Sequence, residues 1–258
     1  MSAPRQSLMA ADTTPRGRRV IVTGAGGGIG RSVVETLTVS GCRVAACDAP
    51  GVSMAELVSA GTFSFDVRDR AAVKDGVRGV LAELGGCDAV VAGAGLVDTI
   101  HRAENFSEAD WRRDVETNLY GAFYVAQAAF AALAESGDGR IVLISSVAAE
   151  IGLPGQVAYG ASKAGLVGLA RTLAAEWAPA GIRCNVVMPG MIATPKVLAM
   201  PETLQGALRT SIPLGRFGSP EELAGVVSFL LSPAAAYLTG SVVRVDGGFG
   251  LAASAMTG

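Results

Sequence analysis

The chain has 258 residues, of which 50% are hydrophobic and 17% charged, with 34 glycines, one histidine and a formal net charge of -2 at pH 7. That apolar content with so little charge excludes a disordered chain, no apolar stretch approaches the ~20 residues of a membrane-crossing helix, and a charge near zero gives no general attraction to nucleic acid or an anionic membrane surface. One histidine and no paired ligand spacing argue against a metal site, and four scattered cysteines (Cys42, Cys47, Cys87, Cys184) suit a reducing, cytoplasmic compartment rather than a disulfide scaffold.

In chain order, residues 1–16 are small and polar with Pro4 and Pro15, lack the apolar core of a signal peptide, and read as a flexible N-terminal tail. Residues 17–258 are expected to form one domain, since α/β folds of ~250 residues commonly bury a single core. Arg16, Arg18 and Arg19 read as a solvated lead-in to the first strand. Short apolar runs then alternate with amphipathic stretches. Runs at 20–22, 43–47, 62–65, 89–92, 141–144, 182–187 and 242–245 predict seven strands, continuous rather than alternating, as in strands covered on both faces by helices. Segments 28–40, 69–84, 107–134, 157–178 and 220–231 predict the helices between them. This βαβα rhythm predicts an α/β protein with a doubly wound, mainly parallel sheet and helices on both faces. Residues 191–215, with Pro195, Pro201 and Pro213, break the rhythm as a long connection, the natural substrate cover.

The first strand ends in Thr23-Gly24-Ala25-Gly26-Gly27-Gly28-Ile29-Gly30 and leads straight into a helix. Glycines there let the backbone turn sharply and approach a pyrophosphate closely, while free N–H groups and the positive helix end stabilise its charge. The alternative is a merely tight strand-to-helix turn. Asp48 closes the second strand, where a Rossmann-type acid accepts hydrogen bonds from the adenosine ribose hydroxyls. A carboxylate there repels the extra phosphate of NADP, and no Arg or Lys precedes Gly28 in the turn, so NAD is favoured over NADP. The alternative makes Asp48 only a turn residue before Pro50.

Tyr159-Gly160-Ala161-Ser162-Lys163 places a phenol and an ammonium four residues apart on one helix face. A free tyrosine has a pKa of about 10, and a cation 4 Å away would favour its phenolate by about 4 kcal/mol at an effective dielectric of ~20. Ser146 stands at the end of the fifth strand, on the sheet edge where ligands bind in doubly wound folds. Ser145 is the neighbouring alternative.

The spacing T-G-x-x-x-G-x-G, with these residues, resembles the short-chain dehydrogenase/reductase family of the classical type, over nearly the whole chain beyond the tail. The resemblance implies a single-domain Rossmann-like fold and hydride transfer between a nicotinamide dinucleotide and a secondary alcohol or ketone. It implies Gly24, Gly28, Ile29 and Gly30 as cofactor contacts, Asp66 and Val67 at the adenine edge, and backbone at Ala94 and Gly95 near the adenosine ribose. Pro189, Gly190 and Ile192 would lie by the nicotinamide amide, and Thr194 near the phosphates. For Asp66 a plain Asx turn is the alternative. Tyr159 would exchange the hydroxyl proton, Ser146 would bind the same oxygen, and Lys163 would lower the tyrosine pKa and contact the nicotinamide ribose. Asn118, inside the long helix, would support a kink and complete a proton path through water, or else be a polar group satisfied in an assembly core. The family also implies a homotetramer, with interfaces on the helices of Asn118 and Tyr159 and on the last strand.

Two departures stand out. Ala92-Gly93 replaces the family's usual asparagine pair, so another group must supply the lost hydrogen bond. Glu150 and His101 lie near the expected pocket mouth; solvent exposure is the leading reading for both, substrate contact the alternative. Competing functions are an NADPH-dependent 3-oxoacyl-(acyl-carrier-protein) reductase and a non-enzymatic dinucleotide sensor. Asp48 speaks against the first, as do Gly137 and Ala180, where such reductases commonly carry arginines. The complete set of Asn118, Ser146, Tyr159 and Lys163 speaks against the second.

Overall fold

A computed structural model describes residues 12–251. Its strands are β1 (Arg19–Thr23), β2 (Arg43–Asp48), β3 (Gly61–Ser64), β4 (Ala89–Ala92), β5 (Gly139–Ile144), β6 (Ile182–Pro189) and β7 (Val242–Val245). They form one sheet in the order β3-β2-β1-β4-β5-β6-β7, and every pair is parallel. The helices are α1 (Gly28–Val39), α2 (Arg70–Leu84), α3 (Glu108–Val115), α4 (Gly121–Glu135), α5 (Val157–Trp177), α6 (Pro195–Leu198), α7 (Glu202–Thr210) and α8 (Pro220–Leu231).

Adjacent residues of a strand point to opposite faces, so a run such as Val20-Ile21-Val22 serves two cores. Ile21, with Val90, Ile141 and Leu143, packs against Val77 and Val80 of α2, Val125 and Leu133 of α4, and Leu166 and Leu173 of α5. Val20 and Val22, with Val44, Val91 and Val142, meet Val33, Val34 and Leu37 of α1 and Leu223, Val227 and Leu230 of α8. Each such side chain contributes about 1.5–3 kcal/mol of burial. The continuous pattern fails at β3, which alternates between half-buried and exposed because it is an edge strand. Sheet order reverses between β1 and β4, which opens a crevice beyond Thr23 and Ala92, the place where doubly wound sheets bind ligands.

Four expectations need correction. The helix expected over 107–134 is interrupted by one π-helical turn, Glu116–Tyr120, between α3 and α4. The segment 191–215 is not a bare loop: it carries α6 and α7, and the Gln205 amide ties them by donating to Leu198 O at 3.0 Å and Met200 O at 2.8 Å. Of the expected flexible tail, residues 1–11 lie outside the described residues, but residues 12–16 are fastened down. Asp12 O accepts from Ala234 N–H at 3.1 Å, and the buried Pro15 offers its carbonyl to the Cys42 thiol at 3.0 Å. Nor are Arg18 and Arg19 simply solvated, since they pair with Asp138 at 2.5 Å and Asp88 at 2.6 Å. All four cysteines are buried and unpaired.

Candidate active site

The glycine turn sits at the mouth of the crevice. Gly24 has φ +73°, and a Cβ there would lie 2.7 Å from Ala94 N and from Gly93 O, so the turn lies directly against the loop after β4. A Cβ on Gly30 would come within 2.0 Å of Gly24 O, which leaves glycine as the residue that lets α1 begin this close to the turn. Helix α1 has no side-chain cap and no acid in its first turn, so its N–H groups and positive end remain available to an anion. Thr194, which caps α6 through Val197 N–H, approaches from above: its Cβ would lie 3.0 Å from a Cβ on Gly28. Ile29, the next residue, packs at the margin of the α1–α8 core.

Asp48, at the end of β2, accepts from Gly26 N–H at 2.8 Å and Ala49 N–H at 2.7 Å. Its carboxylate therefore lies beside the turn. Asp66 is spent locally: it accepts from Arg68 N–H at 2.9 Å in an Asx turn and pairs with the Arg68 guanidinium at 2.6 Å, which holds its carboxyl below the usual range. Val67 is buried and packs against Gly121, just past the π turn. On the other side of the crevice, Gly190 N–H bonds Val245 O at 3.0 Å, joining the Pro189 end of β6 to β7, and buried Ile192 forms a bridge with Gly218. The loop at Ala92-Gly93, which lacks the asparagine pair, is held by Thr23, whose hydroxyl accepts from Gly93 N–H at 3.3 Å and Ala94 N–H at 3.4 Å.

The four catalytic candidates converge. Ser146 follows β5 in extended conformation, its Oγ accepting from Ala148 N–H at 3.2 Å. Tyr159 and Lys163 lie one turn apart on α5, with the lysine Nζ 5.7 Å from the tyrosine ring centroid. Lys163 is 4% exposed, and its ammonium donates to Ile144 O at 2.8 Å. Burial brings its pKa down to about 8. Burial also pushes the Tyr159 phenol up, opposed by its hydrogen bond with Ser146. The Lys163 ammonium donates to a backbone carbonyl while lying 5.7 Å from the phenol ring centroid, and burial sets the direction of the Tyr159 shift.

Asn118 lies within the π turn and is 1% exposed. Its Oδ1 accepts from Leu96 N–H at 2.7 Å, while its Nδ2 donates to Leu96 O at 3.1 Å and Ser162 Oγ at 3.1 Å. Gly95 lies between Asn118 and Lys163, a Cβ on it being 3.1 Å from Asn118 Oδ1 and from Lys163 Nζ. Ser162 was not picked out by the sequence reading, yet it links Asn118 to Tyr159 by donating to Tyr159 O at 2.8 Å. Its signal was a hydroxyl on the same helix face as Tyr159. Ser145 is structural: its hydroxyl donates to Lys163 O at 2.7 Å and fixes α5 to the sheet. Glu150 is exposed and ion-paired with Arg244, and His101 is exposed beside Phe106, with its backbone N–H on Gly155 O. Among the described residues, no cluster of His, Cys, Asp or Glu could hold a metal, and no helix is long and apolar enough to cross a membrane.

A parallel sheet with a glycine turn at its switch point and a Ser-Tyr-Lys group beside it is the framework of a dinucleotide-dependent oxidoreductase. A family model described as enoyl-(acyl carrier protein) reductase matches residues 24–250. The chain is 39% identical over 256 residues to a (3R)-3-hydroxyacyl-CoA dehydrogenase of Rattus norvegicus, covering 93% of this chain and 99% of that one. It is 36% identical over 241 residues to a 3-oxoacyl-(acyl-carrier-protein) reductase of Thermotoga maritima, covering 90% and 97%. A solved structure of a putative short-chain alcohol dehydrogenase from Sinorhizobium meliloti 1021 superposes with a TM-score of 0.87 at 38% identity, covering 92% and 98%. The chain belongs to the short-chain dehydrogenase/reductase family, oxidoreductases that act on hydroxyl and keto groups with a nicotinamide cofactor.

Proposed function

We propose that this protein is an NAD(H)-dependent dehydrogenase/reductase that interconverts a secondary alcohol and a ketone, with Asn118, Ser146, Tyr159 and Lys163 as its catalytic set. The observation that carries this reading is Lys163 buried one helical turn from Tyr159, its Nζ 5.7 Å from the phenol ring centroid, with the Ser146 hydroxyl near enough to oppose the upward push of burial on that phenol. The nicotinamide, when bound, supplies or accepts the hydride.

The residues of the chain do the rest. Ser146 and Tyr159 hold the substrate oxygen between two hydroxyls, and Tyr159 gives or takes its proton. Lys163, with a pKa near 8, can exchange a proton close to neutral pH. Asn118 fixes Leu96 and Ser162 and so keeps the wall of the site in place. Gly24, Gly28, Ile29 and Gly30 would hold the pyrophosphate, with Thr194 reaching it from α6. Asp48, an acceptor-only group, would receive the ribose hydroxyls and repel a 2′-phosphate, which favours NAD over NADP. Asp66 and Val67 would border the adenine, Ala94 and Gly95 the adenosine ribose, and Pro189, Gly190 and Ile192 the nicotinamide amide.

A second reading places the substrate among 3-hydroxyacyl or 3-oxoacyl thioesters, the class named for the relatives from Rattus norvegicus and Thermotoga maritima. The two are separated by assaying simple secondary alcohols, polyols and cyclic diols beside 3-hydroxyacyl thioesters, each with NAD and NADP. In the same assays Tyr159→Phe is expected to bind NADH normally and to lose turnover by about 10²–10⁴-fold. Retained turnover would remove Tyr159 from its role.

A further inference from the structure

Resting on the NAD reading above, we infer that Arg31 is a positioning residue for cofactor choice: it holds the segment after β2 against the glycine turn so that Val52 and Asp48 together wall the ribose side of the site. The segment begins with a built turn. Ala49-Pro50-Gly51-Val52 closes through Val52 N–H on Ala49 O at 3.1 Å, with Gly51 at φ +87°, the arrangement of a type II turn with proline and glycine at its two centres. That turn delivers Val52 onto Gly26. A Cβ on Gly26 would lie 2.5 Å from Val52 Cγ1, 3.0 Å from Ser53 O and 3.2 Å from Asp48 Oδ2, so the valine methyl and the carboxylate meet at the same point of the glycine turn.

Arg31 locks this arrangement. From the first turns of α1, its Nε donates to Gly26 O at 3.0 Å, and its two terminal nitrogens donate to Ser53 O at 2.6 Å and Ala55 O at 3.3 Å. One planar guanidinium thus ties the glycine turn to two carbonyls of the segment that faces it. The far end is held separately, by the Thr38 hydroxyl on Val58 O at 3.0 Å. The same bonds have an electrostatic consequence. Arg31 is a cation that bonds the same residue of the glycine turn as Asp48, Gly26, and a guanidinium is a good phosphate binder. With three N–H groups committed to backbone carbonyls, it is turned to the segment and not toward an added phosphate. The 2′ position then meets a carboxylate and a methyl-lined wall.

The test measures binding directly, by nucleotide fluorescence of NADH and NADPH with the full-length protein, beside kcat and KM. Arg31→Met is expected to weaken NADH about tenfold, to narrow the preference for NADH over NADPH, and to raise KM for NAD while kcat stays within about twofold. Without nucleotide, the variant should be cut faster by a glutamate-specific protease after the exposed Glu56. Val52→Ala, at a position 42% exposed and tolerant of truncation, should narrow the preference a few-fold without faster cleavage. If Arg31→Met weakens NADPH more than NADH, Arg31 binds the phosphate itself and the inference is overturned. If the unaltered protein prefers NADH and neither variant changes that preference, the inference fails alone. Tighter NADPH binding by the unaltered protein overturns the NAD reading and this inference with it.

Discussion

Lys163 carries a stability cost at the place where the proposed chemistry needs a cation. Its pKa of about 8 in the folded chain lies below the ~10.4 of a free lysine, a difference worth about 3 kcal/mol. Because the folded value is the lower one, the unfolded chain binds the proton more tightly between those limits. The cost is fully present below pH 8 and fades as pH rises toward ~10.4. Lys163→Met removes this cost and also the hydrogen bond to Ile144 O, so a net gain of about 1–2 kcal/mol is expected at neutral pH, together with loss of turnover. Urea unfolding at pH 7 and pH 10 checks it: the advantage of the variant should shrink at the higher pH, and an advantage that grew with pH would contradict the assignment.

At the scale of elements, the π turn decides where Asn118 points. A continuous α-helix from 107 to 134 would carry an asparagine competing for backbone hydrogen bonds. The wider turn at Glu116–Tyr120 instead directs the amide onto Leu96 and Ser162, with each of its polar atoms bonded. Asn118→Ala would leave the Leu96 N–H and C=O without their partners, at a cost of about 2–3 kcal/mol. Thermal unfolding should report that loss, and turnover should fall with it, since the loop after β4 borders the proposed catalytic group. A variant of unchanged stability would show that the clamp is not needed.

Across the whole molecule, apolar side chains remain uncovered on the helices that carry Asn118 and Tyr159. Trp111 and Phe130 on α3 and α4, Tyr120 in the π turn between them, and Val157 on α5 are all at least 36% exposed, and Tyr237 before β7 is fully exposed. We propose that they are covered in a homotetramer, which light scattering during gel filtration should report as four times the mass of one chain. Trp111→Glu is expected to give smaller species. A monomeric unaltered chain would leave that apolar face for another role.

The strands, the glycine turn, Asp48 and the Tyr159–Lys163 pair were legible in the sequence because each depends on local spacing. A buried parallel strand is a run of apolar residues, a pyrophosphate turn needs glycines at fixed offsets, and two residues four apart share a helix face. Other features needed the tertiary structure, since they join residues distant along the chain. Thr23 holds the loop at Gly93 and Ala94 because β1 and β4 lie side by side. Glu150 is tied to Arg244, 94 residues away. Asp66 is engaged by Arg68, a neighbour that the sequence displays but whose direction it does not. The bond from the Lys163 ammonium to Ile144 O follows from the placement of α5 beside the end of β5. Sequence therefore determined the chemistry available to this protein, which resides in residue types and short-range period. Packing decided which of those groups face one another and with what charge, because hydrogen-bond partners and burial are set by contacts between elements.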